Sequence, residues 1–206
     1  RSMIRIGILG DIGSGKSFVA KNFGYPVFNA DYEVSKLYEE NRNVYLKLKK
    51  VLPKYIYEFP IDKLQLSNAI LANNSNLQKI IKIVHNEIRN KMRSFLNKNK
   101  NRKFVILDIP LLLENKINKK KDILIYVESR KIDISRNLKK RKNYNQKILN
   151  KFKRIQLPLA YKKRICRFII KNKFTKNSIK YEVKNILKII KNERNSTWYW
   201  NNRPVS

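Results

Sequence analysis

The chain has 206 residues, 42% of them hydrophobic, enough for one sizeable domain with attached subdomains and a filled core. A single cysteine (Cys166) and a single histidine (His85) exclude a disulfide framework, a Cys-based zinc cluster and a His-rich metal site. No run of about 18 apolar residues offers a membrane span, and neither a secretory leader nor a membrane partner is expected, so the reading is a cytoplasmic chain. The net charge of +33 would draw polyanions. Its 34 lysines, however, are spread end to end and stand beside 26 asparagines and 27 isoleucines, the usage an A- and T-rich genome produces. Non-specific nucleic-acid binding at low salt is expected, a specific nucleic-acid partner is not, and a monomer is the working assumption.

In chain order, residues 3–9 read as a short buried strand, 10–17 as a glycine-rich loop and 18–23 as one or two helical turns. A short strand over 26–31 ends in an acid. Helical periods then cover 32–52, 62–71 and 77–98. Strands follow at 103–108 and 121–127, helical periods at 132–140 and 148–155, a strand at 167–172 and a helix over 176–192. Strands separated by helical stretches predict an α/β fold with a mostly parallel five-stranded sheet covered on both faces. Residues 3–194 form the domain. Within it, 32–100 is too long for a simple crossover and reads as a helical substrate-binding subdomain. Residues 130–164 carry a dense basic run and read as a lid. The tail, 195–206, holds Trp198, Tyr199 and Trp200 without helix or strand period.

All five glycines lie in the first 24 residues. Four of them are Gly7, Gly10, Gly13 and Gly15. Gly10-Asp11-Ile12-Gly13-Ser14-Gly15-Lys16-Ser17 matches G-x-x-x-x-G-K-[ST] in full, between a strand and a helix. Such a loop wraps a phosphate chain with backbone N–H groups. Lys16 is placed to reach β and γ phosphates and the Ser17 hydroxyl to ligate Mg²⁺. Asp108 ends a strand where open sheets bind ligands; it is either a second Mg²⁺ ligand or a cap for Ile109 and Pro110. Asp31 is either an acceptor for the proton of an incoming hydroxyl or the N-cap of the helix that follows. His85 is a structural histidine or, with Arg89 one turn on, a receiver of phosphate or ribose.

Several segments together resemble the dephospho-coenzyme A kinase family over residues 4–191. The phosphate loop with its Gly-Ser-Gly order looks like the family's opening, and Asn29-Ala30-Asp31 looks like its Asp-Ala-Asp. Asp108-Ile109-Pro110-Leu111-Leu112-Leu113-Glu114 resembles its Asp-x-Pro-Leu-Leu-Phe-Glu, and residues 168–172 resemble its last strand, ending in Asn172. The resemblance implies a three-layer P-loop NTPase-type fold. It implies ATP with Mg²⁺ on the loop, Asp31 as base toward the ribose 3′-hydroxyl of dephospho-coenzyme A, Arg141 as a lid arginine and Asn172 near adenine. His85, Arg89, Asp108, Pro110, Leu111 and Glu114 become candidate substrate contacts. The chain departs from the pattern at Asn29, Asn86, Leu113, Cys166-Arg167, Asn137 and Phe152, the last two where lid arginines are usual. A nucleoside or nucleotide kinase of the same fold, and a nucleic-acid-binding P-loop NTPase, are the alternatives.

Overall fold

Five short strands organise the molecule: β1 (Ile4–Gly10), β2 (Val27–Asn29), β3 (Phe104–Asp108), β4 (Ile123–Glu128) and β5 (Phe168–Lys171). They form one sheet in the order β2-β3-β1-β4-β5, in a computed structural model that describes residues 2–201, with side chains as far as residue 195. Every pairing is parallel, so the mostly parallel sheet expected from the sequence is wholly parallel among the described residues. Parallel strands are stable only with both faces covered, and the period-two alternation supplies two apolar faces. Ile6, Ile8, Phe104, Ile106, Ile125 and Ile170 point to α1 (Lys16–Lys21) and α9 (Lys176–Asn201). Leu9, Leu107 and Tyr126 point to the opposite helical layer. Helices on both sides of the sheet make the three layers.

The opposite layer is built from α2 (Ala30–Glu40), α3 (Arg42–Val51), α4 (Lys63–Ala72) and α5 (Asn76–Lys98), all between β2 and β3. The single helical period over 32–52 is two helices. Asn41 adopts extended backbone, and its side chain accepts a hydrogen bond from Val44 N at 2.9 Å, ending α2 and capping α3. Between β4 and β5 come α6 (Lys131–Lys139), α7 (Gln146–Ile155) and α8 (Leu159–Ile165).

Helix α8 was not among the helical periods expected; it follows Pro158 at its N-cap and carries Lys162 into the interior, fully buried. Helix α9 runs to Asn201, past the expected end at 192 and into the segment read as aperiodic. The side chains of Trp198, Tyr199 and Trp200, and residues 202–206, lie outside the described residues. Among the described residues no helix is long and apolar enough to cross a membrane.

The chain leaves β1 toward β2 and β3 on one side and returns to β4 on the other. That reversal opens a crevice at the carboxyl end of β1, where open parallel sheets take their ligands.

Candidate active site

The loop after β1 fills this crevice and is held from outside. Ser14 O accepts from Ser129 Oγ at 2.7 Å and from Asn172 Nδ2 at 2.9 Å. Gly13 O accepts from Asn137 Nδ2 at 2.9 Å. Gly13 and Gly15 have φ of +84° and +87°, which L side chains rarely adopt. A Cβ on Gly15 would lie 2.3 Å from Asn172 Nδ2, and one on Gly13 would lie 2.7 Å from Leu138 Cγ. The glycines thus serve both the turn and the close approach of α6 and Asn172. Lys16 folds back over the loop, donating to Asp11 O at 2.8 Å and Gly10 O at 3.3 Å. Burial lowers its pKa, against the opposing pull of Asp108 and Asp31.

Three polar side chains meet below the loop. Register pairs Asn29 on β2 with Asp108 on β3, and α1 brings Ser17 to both. Ser17 Oγ donates to Asp108 Oδ2 at 2.5 Å, and Asn29 Nδ2 lies 3.1 Å from the same carboxylate oxygen. Desolvation raises the Asp108 carboxyl above its ordinary range; the Ser17 hydrogen bond and the Lys16 charge hold it back. Among the described residues no group of three or more His, Cys, Asp or Glu gathers to hold a metal. A hydroxyl beside one carboxylate is a hard-oxygen pair, chemically suited to a Mg²⁺ whose other ligands are water and phosphate.

The N-cap expected of Asp31 is supplied by another residue. The cap of α2 is Asn29, whose Oδ1 accepts from Tyr32 N at 3.0 Å. Asp31 sits in the first turn and lines a large cavity with Lys16, Asp108 and Arg141. Crowding by protein raises its carboxyl above the ordinary range, with Lys16 and then Arg141 pulling it back. The Tyr38 hydroxyl also titrates higher than usual, through burial and then the charge of Asp31.

The cavity measures about 860 Å³. One end is polar, formed by the loop and the acids. The other is apolar, walled by Leu66, Ile70, Ile80, Val84, Leu149 and Phe152 from α4, α5 and α7. His85, Pro110 and Leu111 line it, as expected of substrate contacts. His85 Nε2 accepts from Arg89 Nε at 3.2 Å; burial and the Arg89 charge lower the imidazole pKa.

Two expected contacts lie elsewhere. Arg89 is outside the cavity lining and donates to Asn115 O at 2.8 Å, tying α5 to the segment after β3. Glu114 is also outside the lining; it pairs with buried Lys162 and accepts from Leu157 N at 2.9 Å. The charge of Lys162 needs a carboxylate in the interior, and Glu114 is the one that reaches it. Asn172 faces away from the large cavity, toward a smaller one of about 590 Å³ bordered by Glu128, Arg130 and Lys173.

The sequence missed Ser129, Asn137 and Lys162 as parts of this architecture. Ser129 alone had a local signal, a hydroxyl just past a central strand's carboxyl end.

A family model described as Dephospho-CoA kinase matches residues 4–178. The curated dephospho-CoA kinase of Wolbachia sp. subsp. Brugia malayi (strain TRS) is 34% identical over 187 residues, covering 88% of this chain and 95% of its own. TT1252 from Thermus thermophilus superposes with a TM-score of 0.73 at 25% identity, over 91% of this chain and 98% of that one. A dephospho-CoA kinase from Campylobacter jejuni shares the fold, with a TM-score of 0.58 at 19% identity over 91% of this chain and 97% of its own.

Proposed function

The chain belongs to the dephospho-CoA kinase family, and from that premise we propose which of its residues carry out the phosphoryl transfer. The enzyme is an ATP-dependent transferase of P-loop kinase fold that moves the γ-phosphoryl group to the ribose 3′-hydroxyl of dephospho-CoA, giving CoA and ADP. The family does not favour the nucleotide-kinase and nucleic-acid readings. The observation that carries the site assignment is the convergence of Lys16, Asp31, Asp108 and Arg141 on the polar part of one cavity.

In this reading the loop from Gly10 to Ser17 binds the ATP phosphates. Its carbonyls at Gly13 and Ser14 are already held by Asn137, Ser129 and Asn172, which favours N–H groups turned to an anion. Lys16 leaves the carbonyls of Gly10 and Asp11 for the phosphates. Ser17 and Asp108 would hold Mg²⁺, which supplies charge neutralisation for the phosphates when bound. Asp31 orients the 3′-hydroxyl and takes its proton as the bond to phosphorus forms. Crowding raises its pKa, as suits a base, and the charges of Lys16 and Arg141 pull it back toward the ionised form. Arg141 is the only arginine among the described lining residues, so it is the lid guanidinium that offsets charge on the moving phosphoryl group. Asn137 and Phe152 do not serve that purpose: the first is bound to Gly13 O and the second is part of the apolar wall.

Residues 32–100 and 130–164 act as acceptor subdomain and lid, with the apolar end of the cavity between them for the less polar parts of the acceptor. Asn172 shapes the phosphate loop from behind and borders the smaller cavity, which in this reading takes the adenine. We place the enzyme in the cytoplasm, as a monomer with no specific nucleic-acid partner. Its one cysteine thiol, pushed up to about 12 by burial, suits an enzyme with no disulfide chemistry.

Phosphoryl transfer from Mg·ATP to a panel of acceptors tests this reading. Product is expected with dephospho-CoA and absent with its 3′-deoxy analogue, nucleoside monophosphates and adenosine. Turnover of the 3′-deoxy analogue would contradict the role given to Asp31.

A further inference from the structure

Among the described residues, Asn29 is the one side chain that hydrogen-bonds to both proposed cation ligands. Its amide spans three partners. Oδ1 accepts from Tyr32 N at 3.0 Å, Nδ2 lies 3.1 Å from Asp108 Oδ2, and Nδ2 lies 3.3 Å from Ser17 Oγ. The helix cap fixes which way the amide faces, because only the oxygen can accept from Tyr32 N–H. The NH₂ group is therefore obliged to point at the Ser17–Asp108 pair. Register enforces the contact, since Asn29 and Asp108 are direct neighbours on parallel strands.

We infer that Asn29 is a positioning residue for the cation site: its amide locks Asp108 and Ser17 together and keeps Asp108 the only carboxylate of the cluster. The inference rests on reading Ser17 and Asp108 as cation ligands. A carboxylate at position 29, which the family resemblance would put there, could cap α2 equally well. Its second oxygen would face Asp108 Oδ2 at the distance now bridged by a hydrogen bond. The two charges would repel until a cation or proton intervened. The amide gives a site that is ordered before the cation arrives. Groups that orient metal ligands from outside matter about 10-fold or more in affinity when removed.

Two variants separate this role from helix capping, because Ser and Asp are both good N-caps. Mn²⁺ binding to the ADP-loaded protein is read by electron paramagnetic resonance, and melting is read with and without Mn²⁺. Asn29→Ser keeps a capping oxygen and loses the amide donor. It is expected to melt near the parent and to bind Mn²⁺ about 10-fold more weakly. Asn29→Asp is expected to melt below the parent without cation and to gain more from Mn²⁺ than the parent does. Parent-like Mn²⁺ affinity in Asn29→Ser, or an unchanged Mn²⁺-dependent shift in Asn29→Asp, would reduce Asn29 to a cap and overturn the inference. Asp108→Asn tests the underlying reading separately: if it leaves Mn²⁺ affinity intact, the assignment of the cation ligands fails, whatever position 29 does.

Discussion

Lys16 and Asp31 each bring a charge into the same crowded cavity; surrounding protein moves both toward neutrality, Lys16 buried and Asp31 still open to solvent on one side. Function needs both charged, so each costs the fold some stability, a common tension at active sites. For Asp31 the sign is definite. Between the ordinary carboxylate value of 3.8 and its raised native value, the folded chain holds a proton that the unfolded chain has released. Stability therefore falls as pH rises through that window and remains lower above it. Asp31→Asn is expected to melt higher than the parent at pH 7, with the gap closing as pH falls through the window. Equal melting at pH 7 would contradict the desolvation argument. Lys16→Ala should lower turnover by about 10²-fold or more, the scale for losing one stabilising donor at developing charge. Steady-state rates at saturating substrates check this.

At this scale the sequence was most informative where chemistry is local. The phosphate loop is legible because glycine, lysine and serine must stand at fixed spacing on one turn. The contacts of Ser129 and Asn137 were hidden because they act on loop carbonyls 115 and 124 positions away. Asn29 was visible only as a departure from a pattern, and its contacts depend on strand register.

At the scale of elements, strands were easier to place than helix ends. Apolar runs between turn residues mark β1, β3 and β4, and parallel pairing follows from the helices between them. The break at Asn41 was obscured because the apolar period continues across it; the deciding force is a side-chain cap. Helix α8 was hidden for a different reason. Its basic run reads as solvated, yet Lys162 is buried against Glu114, 48 positions earlier by sequence number. The pair joins α8 to the segment after β3, with Leu157 N–H on the same carboxylate. Lys162→Met would leave the Glu114 charge buried and unpaired, and an unfolding titration should show a loss of about 3–5 kcal/mol. Adding Glu114→Leu to it is expected to restore much of that loss, since an apolar pair of similar volume removes the stranded charge. A Lys162→Met protein as stable as the parent would contradict the latch.

Across the whole molecule, two apolar cores flank one sheet, and they have different tasks. The core with α1 and α9 is closed around the strands. The core with α2–α5 extends to α7 through Ile148, Phe152 and Ile155, and the cavity opens within this half. The cavity thus lies where packing is shared between the sheet, the helices before β3 and those after β4. Such an arrangement suits closure around an acceptor, with water excluded as transfer begins. The net charge of +33 favours anionic substrates in general, but recognition is assigned to the few groups at the cavity's polar end.

The most direct test of that assignment is one paired measurement on Asp31→Asn: turnover with dephospho-CoA, and ATP affinity by calorimetry. A positioned base predicts turnover lower by roughly 10²-fold or more, with ATP affinity close to the parent's. Parent-like turnover, or a loss of ATP affinity equal to the loss of rate, would show that Asp31 is not the base.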